Sequence, residues 1–96
     1  MLKKRIEFVF QEYKQPALLD TLGWIAHLQG NDKQALSYLT QAVSPLREVP
    51  DVHYHMGIVY LALGNKAWAR YHLEEAAGGK SETTAAAAKK ALAAMN

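Results

Sequence analysis

Residues 23–42 read GWIAHLQGNDKQALSYLTQA, and residues 57–76 read GIVYLALGNKAWARYHLEEA. The two stretches stand 34 residues apart, and their small residues coincide. Gly23 falls on Gly57, Gly30 on Gly64, Asn31 on Asn65, Ala35 on Ala69, Leu39 on Leu73 and Ala42 on Ala76. Upstream, Pro16 falls on Pro50. Glycine, proline, alanine and leucine report backbone constraint and close packing, so self-similarity at this period points to a repeated supersecondary unit.

Inside each copy the apolar spacing is helical. Leu18, Leu19, Leu22, Ile25 and Ala26 precede a Gly30-Asn31-Asp32 break, and Ala35, Leu36, Leu39, Ala42 and Val43 follow it, at i, i+3, i+4 and i+7. Gly30 and Gly64 suit the left-handed residue that ends a helix. Asn31 is placed to cap the next helix with Gln34 completing a box, and Asn65 repeats the cap with Trp68 in place of the glutamine. Each copy therefore reads as helix, tight turn, helix. Gly23 and Gly57 lie mid-helix, where glycine costs about 1 kcal/mol relative to alanine. A close helix–helix approach at those points explains them, with Ala35 and Ala69 expected opposite. Ala42 and Ala76 are expected where the next hairpin stacks. One hairpin cannot bury its apolar face alone, so the copies must stack.

The two copies resemble the tetratricopeptide repeat, a 34-residue pair of antiparallel helices. Its signature positions are met by Leu19, Leu22, Gly23, Ala26, Ala35, Leu39 and Ala42 in the first copy and by His53, Met56, Gly57, Tyr60, Ala69, Leu73 and Ala76 in the second. Departures are His53 for a large apolar residue, Ala26 for the tyrosine, and Arg47 for the terminal proline. Asp20 to Trp24 with Tyr54 to Gly57 are similar to the C-terminal repeats of long bacterial tetratricopeptide proteins, including some tied to exopolysaccharide export. The resemblance implies an all-α, right-handed superhelical stack of hairpins with about six helices. One domain over 1–96 would contain a flanking helix at 2–13, copies at 16–49 and 50–79, and a capping helix at 82–95. Residues 2–13 place Leu2, Ile6, Val9, Phe10 and Tyr13 within roughly 100° of a helical wheel. In the last segment Ala85, Ala88, Leu92 and Met95 align, Lys89 and Lys90 face outward, and Ser81 is the expected N-cap.

Composition narrows the function classes. The 96 residues include no cysteine, which excludes disulfides, thiolate metal sites and cysteine nucleophiles. The net charge of +2 is too small to argue for nucleic acid, and the basic residues Lys3, Lys4, Arg5, Lys89 and Lys90 lie at opposite ends of the chain. No stretch reaches the ~20 apolar residues of a membrane span. The apolar stretch after the basic start is interrupted at once by Glu7 and ends near Phe10, unlike a signal peptide. A soluble chain is expected, cytoplasmic if the sequence is complete.

Chemistry-bearing patterns are sparse. His27, His53, His55 and His72 lack the i, i+4 pairing of a helical zinc site, and His53 and His55 point about 200° apart on a helix. His53 occupies a signature core position, so buried packing is expected of it. Ser37, Ser44 and Ser81 stand in no nucleophile motif, and Gly78-Gly79-Lys80 follows a helix rather than opening one. The expectation is no enzyme, no cofactor and no metal.

In this family partners lie on the face built by the first helix of each hairpin. Carried over, that face comprises Asp20, Trp24, His27, Leu28, Asp51, Tyr54, Ile58 and Leu61. Trp24 and Tyr54 are the expected anchors for a protein or peptide partner. The lysine and asparagine pattern that clamps a C-terminal carboxylate in chaperone-type members is absent. The alternative role is assembly. Phe8 lies roughly 150° from the 2–13 stripe, between Lys4, Arg5 and Glu12. A homodimer with Phe8 in its interface is expected on that reading.

Overall fold

A computed structural model describes residues 16–95. The 2–13 helix and Phe8 lie outside the described residues. Within them the chain is all-helical: α1 (Pro16–Leu28), α2 (Asp32–Val43), α3 (Pro50–Ala62), α4 (Lys66–Ala77) and α5 (Glu82–Met95).

The glycines decide how the helices pair. Gly30 and Gly64 adopt φ of 81° and 83°, with nothing near the place a Cβ would take, so backbone conformation alone selects glycine. Each turn reverses the chain with the same bonds. Gly30 N–H donates to His27 C=O (2.9 Å) and Asn31 N–H to Ala26 C=O (2.8 Å); Gly64 and Asn65 donate to Leu61 (3.0 Å) and Tyr60 (2.9 Å). α1 thus folds back on α2, and α3 on α4.

Gly23 and Gly57 mark a close approach within each hairpin. A Cβ on Gly23 would stand 2.6 Å from Leu39 Cγ, and one on Gly57 2.6 Å from Leu73 Cγ. The opposing group is the leucine side chain, with the Ala35 and Ala69 carbonyl oxygens next at 3.2 and 3.3 Å. The expected alanines are therefore near the glycines, but the leucines fill the space that glycine leaves. Leu39 and Leu73 are completely buried, as are Ala35, Ala69, Ala42 and Ala76.

The hairpins meet through α2 against α3, and α1 also touches α3. One core joins Ala26, Ala35 and Leu39 to Met56 and Val59 across that seam. A second joins Leu73 and Ala76 of α4 to Ala88 of α5, flanked by Leu92 and Met95. α5 lies on both α4 and α3. Its start is capped as expected: Thr84 N–H donates to Ser81 Oγ, 3.4 Å apart.

Two local expectations change. Asn65 caps α4 by accepting from Trp68 N–H at 3.2 Å, but Asn31 makes no such cap. Its amide donates to Gln34 Oε1 instead (2.8 Å), because the glutamine offers an acceptor that Trp68 lacks. Leu18 and Ile25 are 47% and 45% exposed. α1 buries only Leu19, Gly23 and Ala26, a stripe at i, i+4 and i+7, and Leu18 and Ile25 fall outside it.

Candidate interaction face on the first helices

The expected face is built around Trp24, which is half-buried on α1. Its ring stacks on His55 of α3 (centroids 4.3 Å, planes 24° apart) and tilts against His27 (4.9 Å) and Tyr54 (6.2 Å). Both histidines are held by carboxylates. His55 Nδ1 lies 2.7 Å from Asp20 Oδ1, and His27 Nδ1 lies 2.5 Å from Asp32 Oδ1. An ionised carboxylate only accepts, so each imidazole donates through Nδ1–H and its Nε2 carries a lone pair when the ring is neutral. Neither Nε2 shows a hydrogen-bond partner among the described residues, and among those residues no side-chain N or O atom of a non-exposed residue is both buried and unpaired. Neither Nε2 atom is therefore fully buried, on side chains 20% and 19% exposed. Asp20, His55, Trp24, His27 and Asp32 form one continuous chain of contacts across α3, α1 and α2.

Four of the eight face residues expected from the sequence, Asp20, Trp24, His27 and Tyr54, gather here. The other four lie elsewhere. Ile58 and Leu61, with Tyr54, pack on the Leu73–Ala76–Ala88 core, so α5 covers that half of α3. Asp51 accepts a hydrogen bond from Thr84 Oγ1 of α5. Leu28 stands at the end of α1, 68% exposed. Sequence reasoning missed His55 and Asp32 as members. The available signal for His55 was its separation of 35 residues from Asp20, one more than the spacing of equivalent positions. In stacked hairpins that offset brings two residues to neighbouring places on successive first helices. For Asp32, five residues after His27 across a tight turn, the signal was proximity alone.

A second polar pair is built into the interior. His53 and His72 are buried, with their Nδ1 atoms 3.0 Å apart and rings stacked at 5.2 Å. His53 Nε2 lies 2.7 Å from Arg47 C=O, which only accepts. That bond makes Nε2 the protonated nitrogen of His53, leaves its Nδ1 as an acceptor, and makes His72 the donor through Nδ1–H. The relay ties α4 to the loop before α3. Burial first, and the adjacent His53 second, push the His72 pKa from 6.5 down to about 4. Tyr60, Trp68 and Tyr71 surround its ring at 5.0–6.0 Å. The opposite directions of His53 and His55, expected from their spacing, send one into the core and the other to the face.

No described helix is long and apolar enough to cross a membrane. No family model, curated protein or solved structure matches the chain.

Proposed function

We propose that the chain is a tetratricopeptide-type stack of hairpins whose role is non-enzymatic protein–protein recognition. On this reading the stack is a right-handed superhelix of about six helices. The partner is a peptide or helix laid against the face of α1 and α3. The repeated turn bonds and the matched Gly23–Leu39 and Gly57–Leu73 contacts support the architecture. The observation that carries the function is Trp24, a large ring held half-open at the seam of two hairpins by polar aromatic neighbours. An indole so placed offers rigid contact area at small entropic cost, the character of an interface anchor. A peptide array read against wild type and Trp24→Ala tests this. The substitution is expected to weaken retained peptides by about 2 kcal/mol or more while circular dichroism stays helical. Unchanged retention, or an unfolded variant, would overturn the assignment of Trp24.

A second reading, a self-associating assembly fragment, is favoured by Leu18, Ile25 and Leu28, which leave a partly exposed apolar stripe on α1. Sedimentation at tens of micromolar, repeated with Phe8→Glu and with Ile25→Glu, decides it. A monomer in wild type removes this reading.

A further inference from the structure

The chemistry of the face selects the kind of partner. α1 and α3 carry Asp20 and Asp51 and contain neither lysine nor arginine. The described cations lie on α2, α4 and α5, as Lys33, Lys66, Arg70, Lys89 and Lys90, or in the connecting segments, as Arg47 and Lys80. Around Trp24 the carboxylates of Asp20 and Asp32 are partly open, with side chains 16% and 20% exposed. Each hydrogen bond from an imidazole Nδ1–H to a carboxylate leaves the carboxylate charge in place when the ring is neutral and leaves Nε2 as an acceptor. The half-buried Trp24 ring, stacked on His55, adds π-electron density of negative potential beside the two pairs. Carboxylates, imidazole lone pairs and an indole all prefer donors and positive charge. A carboxylate or phosphate brought here meets like charge and acceptors, and α1 and α3 have no lysine or arginine to receive it.

We propose that this face takes a cationic segment of its partner, a short stretch of lysine or arginine side chains that donate to the two histidine–aspartate pairs and pack along Trp24. The inference rests on the protein-recognition reading and specifies its ligand class. Complementarity of this kind steers encounter and rejects anionic competitors, and its effect falls as salt rises.

The test uses the full chain with Trp68→Phe, which leaves Trp24 as the one tryptophan. Three twelve-residue peptides are titrated against its fluorescence: alternating Lys/Ala, Gln/Ala and Glu/Ala. Saturable change with the lysine peptide, at least tenfold tighter than with the other two, is the expected result. Asp20→Asn and Asp32→Asn are each expected to weaken it by about tenfold, the scale of one close charge contact, and raising salt from about 50 to about 500 mM to weaken it further. Asp32→Asn lies in the first turn of α2, outside both cores, and keeps the test alive if Asp20→Asn loses helicity. Equal or tighter binding of the glutamine or glutamate peptide overturns the cationic partner and leaves the recognition reading standing. Silence from all three peptides overturns both. Binding of the lysine peptide that ignores salt and both substitutions also overturns the proposal.

Discussion

His72 makes stability fall with acid in a calculable way. In the folded chain its pKa is about 4, against 6.5 when unfolded. The folded state therefore binds fewer protons than the unfolded state between those values, and stability rises with pH there. The contribution is complete above about pH 6.5 and is lost as pH falls towards 4. At about 1.36 kcal/mol per pH unit the whole effect is about 3 kcal/mol, and roughly 2 kcal/mol of it is gone by pH 5. A domain of this size has about 5–14 kcal/mol in total, so the loss is large enough to measure. His72→Asn provides the control, because its side-chain amide can donate to His53 Nδ1 as the ring does and cannot titrate. Urea unfolding of both proteins at pH 8, 6.5, 5 and 4 reads the buried His72–His53 pair, since every titrating group outside it is common to the two proteins. Wild type should lose about 2 kcal/mol more than His72→Asn between pH 8 and pH 5. Parallel curves, within about 0.5 kcal/mol, would show that burial and His53 do not hold the proton off.

Other outcomes follow from the packing. Gly23→Ala and Gly57→Ala should each lower stability by about 1–3 kcal/mol, because overpacking against Leu39 or Leu73 at 2.6 Å outweighs the helix propensity gained; a raised melting temperature would refute the close approach. Asn65→Ala should cost about 1 kcal/mol and Asn31→Ala clearly less, since only Asn65 caps a backbone N–H, and equal losses in urea titrations would contradict the difference. Ala35→Leu and Ala69→Leu should cost roughly 1–3 kcal/mol, while Ala86→Leu on the exposed side of α5 should be near neutral by calorimetry.

Much of the helix plan is written in local residue choice. The turn at Gly30 needs a positive φ that glycine adopts freely, so its place could be read from one residue. The apolar spacing of α2 and α4 likewise marks Leu39 and Leu73 as inward. Asp20, Trp24, His27 and Tyr54 were recoverable because the 34-residue offset places them on first helices. What the sequence could not settle was competition between partners. Asn31 had two uses, a backbone cap or the Gln34 side chain, and only the positioned chain selects the second. Ile58 and Leu61 satisfy the same pattern as open face residues, yet α5 docks on them, because where a terminal helix lies depends on long-range contacts. The pairings His55–Asp20 and His53–His72 join residues 35 and 19 positions apart. Periodicity assigns each of them a helix and a direction. Only the stacking of α1 on α3 and the fold of α3 on α4 bring the rings to their acceptors, and those distances fix which nitrogen carries the proton.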